Sequence, residues 1–247
     1  MSIETETDWN GLRRVGALVR LTLDALERAA RPGVTTAELD RIAARLFAER
    51  GARSAPASEY GFPKTVLLSV NDELVHGIPD DRPLEDGDVL KVDVTAELGG
   101  YVADAARTVL VGTPTDAGRR LRDCVRAAFA KALPVARAGR GVSEIGRAVE
   151  AEVLRRGFHV VPGLDGHGTG RAIHEAPSVP NRFDPRQRDV LTEGMVITIE
   201  PIVSAGRAKP VEDADGWTIR TSDGSLAAHH EHTLVITRGR PILLTAA

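Results

Sequence analysis

Two ten-residue stretches, LEDGDVLKVD (84–93) and LTEGMVITIE (191–200), align without a gap. Both read Leu-x-x-Gly-x-Val-x-x-x-acid: a turn, then a strand ending on a carboxylate, Asp93 in one and Glu200 in the other. Upstream, His76-Gly-Ile-Pro79 matches His174-Glu-Ala-Pro177, and Gly33-Val34 aligns with Gly141-Val142 ahead of similar amphipathic helices. Self-similarity of this kind marks a duplicated unit. It predicts one domain over 1–247 built from two pseudo-repeat halves, about 8–112 and 113–240. A pseudo-twofold axis would then bring one His and one acid from each half together.

The local signals agree. Leu12, Val15, Leu18, Val19 and Leu26 fall at helical spacing within 8–30. Thr35 and Glu38 form a capping-box pattern ahead of Leu39, Ile42, Leu46 and Phe47, and Gly51 is a stop signal. Residues 115–138 are helical in pattern, with Pro134 expected to kink or end the helix; Ser143 is the expected cap of the next one and Gly157 its stop. VLKVDVTAELGGYVADAARTVLV has a turn signal at Leu98-Gly99-Gly100 between two β-prone runs. Hairpins of this kind predict an α/β fold of α+β type: an antiparallel sheet core with outer helices.

With 42% hydrophobic and 27% charged residues the chain has the composition of a soluble globular domain. A net charge of −3, with Lys and Arg spread along helices, argues against a specific nucleic-acid partner. The single cysteine, Cys124, leaves no internal disulfide and no Cys-based zinc site, which fits a reducing compartment. The first ten residues lack signal-peptide character, and no apolar run of 18 residues occurs. The expectation is a cytoplasmic protein without a membrane partner.

Asp93 and Asp104 stand eleven residues apart across the expected turn. They are directly opposed or diagonal, depending on a one-residue shift of the turn, and in both cases share a face. Two ionised carboxylates so placed repel. Lys91, two residues before Asp93, is one candidate counter-charge; a divalent cation is the stronger one. Glu200 and Glu231 occupy strand positions flanked by apolar residues, with His167 nearby in GHGTGRAIHEAP. That stretch has neither the glycine spacing of a dinucleotide fingerprint nor the Gly-Lys-Ser/Thr of a phosphate loop. Four carboxylates and one imidazole suit Mn²⁺, Fe²⁺, Co²⁺ or Zn²⁺. They are enough ligands for two ions ~3.5–4 Å apart, which would activate a water and polarise a carbonyl. Of the remaining histidines, His159 reads as structural. His229 and His230 flank Glu231 on alternating faces, so that one of them is placed to reach its surroundings, and His232 points away.

SVNDELVHGIP, GDVLKVDV, Asp104, GHGTGRAIHEAP, GMVITIEPIV, Trp217-Thr218 and EHTLVIT, in this order from about Asp8 to Thr237, resemble the bacterial type I methionine aminopeptidases. The resemblance implies the duplicated "pita-bread" fold and a single catalytic domain that removes the initiator methionine. It also implies two divalent metal ions held by Asp93, Asp104, His167, Glu200 and Glu231, with Asp104 and Glu231 bridging. Glu200 would relay a proton, and His76 and His174 would contact the substrate and its tetrahedral intermediate. Tyr60, Phe62, Leu67, Ile173 and Trp217 would line the side-chain pocket. The chain departs from the family's pattern at Ile173, where a bulky aromatic is usual, at Leu67, where Cys is common, and in the spacing around Tyr60 and Phe62. ADAARTVLVG and HEAP are also similar to Xaa-Pro peptidases, which carry a long N-terminal domain; an Xaa-Pro or other N-terminal specificity is the alternative. A binding protein that keeps the fold would be expected to lose metal ligands, and all five positions are intact. The implied partners are the N-termini of nascent polypeptides, met at the ribosome by a monomer.

Overall fold

In a computed structural model that describes residues 1–246, each half of the chain lays two long helices on an antiparallel sheet. Helix α1 (Glu6–Ala29) starts at Thr5, whose hydroxyl accepts the Asp8 N–H while the Asp8 carboxylate accepts the Thr5 N–H. Helix α2 (Thr36–Arg50) has the expected reciprocal box between Thr35 and Glu38 and ends on Gly51 at φ 66°. A short helix α3 (Ala55–Tyr60) follows. In the second half α4 (Asp116–Ala132) stops before Pro134, which sits in a single 3₁₀ turn, Leu133–Val135. Helix α5 (Val142–Arg155) is capped at Gly141, not at Ser143: the Glu144 carboxylate reaches back to the Gly141 N–H at 3.2 Å, and Ser143 lies inside the first turn.

The first-half sheet is built on β1 (Leu67–Val70), β2 (Val89–Leu98) and β3 (Tyr101–Leu110). β2 and β3 pair along their whole length through a two-residue turn, with Gly99 and Gly100 at φ 62° and 79°. Only a residue without a β-carbon takes two left-handed positions in succession cheaply, and this geometry matches the twist of a hairpin.

The second half uses β4 (Gly166–Gly168), β5 (Glu175–Val179), β6 (Val196–Ile199), β7 (Ile202–Ser204), β8 (Ala227–His229) and β9 (His232–Val235). Where β2 runs unbroken through Asp93, its counterpart is interrupted at Glu200-Pro201. Pro201 has no N–H to give to the ladder. Its partner strand splits as well: Ile199 pairs with His232 and Ile202 with His229. Glu200 and Glu231 therefore face each other across a gap in the ladder.

The halves meet at β3. Ala106 and Glu231 exchange backbone hydrogen bonds of 3.3 and 2.9 Å. The Thr233 hydroxyl accepts the Asp104 N–H, and the Thr108 hydroxyl donates to the His229 carbonyl. Two apolar cores flank this seam. Leu12, Val15 and Leu23 pack with Val92, Val94 and Ala105 in one; Leu121, Val125 and Ile145 pack with Ile197, Ile199 and Leu234 in the other. Cys124 lies within the second core, where burial pushes its thiol up to about 11, which leaves it inert near neutral pH.

Candidate metal centre and active site

The register decides between the two placements of the first carboxylate pair. Asp93 lies opposite Ala106 and Asp104 opposite Thr95, so the two acids are diagonal neighbours on one face of the hairpin. Because Ala106 also pairs with Glu231, and Glu231 faces Glu200, the acids of both halves converge on the seam. His167 joins them from β4. The Thr198 hydroxyl accepts its backbone N–H at 3.1 Å and donates to Glu200 Oε1 at 2.9 Å, so one threonine fixes both groups. The glycines around His167 let strands approach: a β-carbon at Gly166 would lie 2.7 Å from the Thr198 carbonyl oxygen, and one at Gly168 would collide with that of Ala176.

Four carboxylates in one buried cluster are electrostatically unhappy without a counter-charge. Asp104, Glu200 and Glu231 are 6, 9 and 1% exposed. Burial raises the Asp93 pKa well above the carboxylate range, and Asp104 and Glu200 add to it. Asp104 is pushed up to about 6 by burial, against the hydrogen bond from Thr95. Glu200 and Glu231 are raised by burial and then by the neighbouring carboxylates. Asp93 Oδ1, Asp104 Oδ1 and Glu231 Oε1 are buried with no hydrogen-bond partner among the described residues. Such groups ordinarily find a partner or coordinate a metal.

Lys91 does not supply the missing charge. It is fully buried, but its ammonium turns aside to the carbonyls of Asn71 and Val89, at 2.8 and 3.3 Å. Burial lowers it to about 7, against the pull of Glu73 and Asp72. What remains is a cluster built for a cation. Asp104, His167 and Glu231 bring donor atoms within 4.8 Å of one another, and so do Asp93, His229 and Glu231. Burial, and then His174, lower the His167 pKa to about 4, which leaves a neutral imidazole able to bind a metal. Its Nε2 is 3.4 Å from Glu200 Oε1.

His229 is the residue that motif reading undervalued. Alternation along β8 and β9 settles which histidine turns inward. His230 packs edge to face against Phe129 of α4 and His232 lies tilted against the same ring, while His229 faces the carboxylates.

Above the cluster lies a pocket of about 250 Å³. Tyr60, Phe62, Leu67, Ile173 and Trp217 all line it, as do His76 and His174. Phe62 and Trp217 meet edge to face at 5.2 Å. Leu67 stands on β1 directly opposite Asp93, which ties the apolar wall to the carboxylate floor. Ile173 is 3% exposed and its N–H is held by the Glu59 carboxylate. Tyr60 is exposed at the mouth, where its hydroxyl lies 2.7 Å from His174 Nδ1. The His167 and His174 rings pack at 4.3 Å, so the second histidine reaches from the mouth to the cluster. His76 holds an uncommon left-handed backbone at φ 60°; burial, and then His174, lower its pKa.

Comparison with known proteins agrees with this geometry. The model of metallopeptidase family M24 matches residues 10–238. Methionine aminopeptidase 2 of Bacillus subtilis is 40% identical, over 99% of each chain. The crystal structure of methionine aminopeptidase from Rickettsia prowazekii superposes with a TM-score of 0.95 at 35% identity, covering all of both chains. The prolidase of Pyrococcus furiosus, at 23% identity and a TM-score of 0.80, shares the fold over 65% of its own length. With its full length matched and its carboxylates and histidine gathered into one buried cluster, the chain belongs to metallopeptidase family M24, among the methionine aminopeptidases.

Proposed function

We propose that this chain removes the N-terminal methionine from peptides and nascent polypeptides with a pair of divalent metal ions held at the half-to-half seam. The observation that carries the reading is the buried cluster of Asp93, Asp104, Glu200, Glu231 and His167, with three carboxylate oxygens left unpartnered, at the floor of an apolar pocket. The donor set fits Mn²⁺, Fe²⁺, Co²⁺ or Zn²⁺. Glu231 belongs to both three-donor groupings, the position a shared ligand would take. When bound, the ions would supply Lewis acidity and an activated water.

The protein's own groups do the rest. Glu200 is held by Thr198 beside His167 and serves as the base that takes the water's proton and returns it to the leaving amine. His174 stands at the junction of floor and mouth and donates to the oxygen of the scissile carbonyl as charge develops there. Tyr60 fixes the imidazole's orientation through Nδ1. His76, on the opposite half, contacts the substrate main chain. Phe62, Leu67, Ile173 and Trp217 enclose the methionine side chain, a shape that suits an unbranched thioether. An anionic floor favours a free α-amino group, which confines the reaction to chain ends.

The physiological substrates would be nascent polypeptides, met in the cytoplasm by a monomer. No described helix is long and apolar enough to cross a membrane. A panel of Met-Gly, Met-Ala and Ala-Pro peptides, offered to metal-stripped protein with each metal added back, tests the reading. Release of Met from the first two supports it; preferential cleavage of Ala-Pro peptides would replace it with an Xaa-Pro specificity.

A further inference from the structure

Five ligands leave one inward-facing imidazole without a task. His229 is 2% exposed, and neither ring nitrogen has a hydrogen-bond partner among the described residues. Its Nε2 lies 3.7 Å from Glu231 Oε2 and 3.8 Å from Glu200 Oε2. These separations are too long for hydrogen bonds. They are close to what two donors need around one cation: ligands ~2.1 Å from a metal and ~105–125° apart are ~3.3–3.7 Å from each other. The same measure gives 3.4 Å for His167 Nε2 and Glu200 Oε1.

The donor atoms fall into two groupings, Asp104–His167–Glu231 and Asp93–His229–Glu231, each within 4.8 Å and joined through Glu231. Each thus contains one imidazole. We propose that His229 is a sixth metal ligand, giving the Asp93 position its own imidazole beside the one that His167 gives its neighbour. This rests on the two-metal reading above. A nitrogen donor at each position shifts preference away from Mg²⁺ and Mn²⁺ and toward Co²⁺, Fe²⁺ and Zn²⁺.

Counting coordinated imidazoles tests this. Protein loaded with Co²⁺ should show two strongly shifted, exchangeable imidazole N–H proton resonances. His229→Gln should remove one and His167→Gln the other. Calorimetric Co²⁺ titration should give two ions for the parent protein, with the weaker site losing affinity ~10-fold or more in His229→Gln. The parent spectrum alone counts the ligands, so the test survives poor folding of a variant. A single shifted N–H in a two-ion, Met-releasing protein would overturn the His229 assignment and leave the proposed function standing. Failure to take up Co²⁺ at all would overturn both.

Discussion

Replacing Asp104 by asparagine should stabilise the metal-free protein near neutral pH while abolishing its response to metal. The Asp104 carboxyl is moved from 3.8 to about 6 in the folded chain, chiefly by burial. The folded state therefore holds this proton more tightly than the unfolded one. The contribution is fully present below the unfolded value and is lost as pH rises through about 6. Above that, folding with an ionised Asp104 costs about 3 kcal/mol. Asparagine keeps the shape and removes the charge, and with it the repulsion that raises Glu200 and Glu231. In EDTA at about pH 7, the thermal midpoint of Asp104→Asn should lie ~6–12 °C above that of the parent, at ~2–4 °C per kcal/mol for a chain of this size. At about pH 3, below both values, the two should coincide. Added Mn²⁺ or Co²⁺ should raise the parent midpoint, because the ion binds only the folded state, and leave the variant nearly unmoved. A metal-free Asp104→Asn protein that melts at or below the parent near pH 7 would refute the claim that these carboxylates are held together at an electrostatic cost.

Glu231→Ala, at the position common to both donor groupings, should lose at least one bound ion per chain; unchanged stoichiometry by calorimetry would remove Glu231 from the centre. His174→Ala should leave metal content intact and lower kcat by ~10²-fold or more, the scale of a lost oxyanion donor, and near-normal kcat would take His174 out of the reaction. Phe62→Ala opens the wall that Phe62 and Trp217 form edge to face. It should raise KM for Met-Ala peptides and narrow their advantage over Leu-Ala peptides, with metal stoichiometry unaltered.

The strand-and-acid repeat made much of this legible. GDVLKVD and GMVITIE announce two equivalent strands, and the structure brings Asp93 and Glu200 to one seam; only the second strand ends at its acid, since the first continues through Asp93 to Leu98. Cap chemistry located α2, where Thr35 satisfies an otherwise orphaned N–H; α1 and α4 were legible from their helical pattern, and their caps, Thr5 and Thr115, are seen only in the structure. Ser143 misled because Glu144 caps from three residues downstream, and a glycine there needs no side chain of its own. Lys91, the weaker of the two candidate counter-charges, shares the acid face but does not reach the acids, because the nearby carbonyls of Asn71 and Val89 capture its ammonium. His229 and His230 could not be told apart from spacing alone. Strand alternation separates them once Glu231 is known to face the cluster: His229, two residues before it, shares its face, and His230 turns to the other with His232. Thr198 gave no signal at all, since a threonine in a strand is ordinary until its hydroxyl is seen between His167 and Glu200.

The most direct measurement is kcat/KM for a Met-Ala-Ser peptide and its N-acetylated form, in metal-stripped protein and after stepwise reloading with Mn²⁺ or Co²⁺. A buried carboxylate cluster that exists to hold cations predicts no turnover of either peptide by stripped protein. Activity toward the free peptide should appear with added metal and level off at a fixed metal-to-protein ratio, and the acetylated peptide should stay intact throughout. Cleavage by the stripped protein, or release of acetyl-methionine, would contradict it.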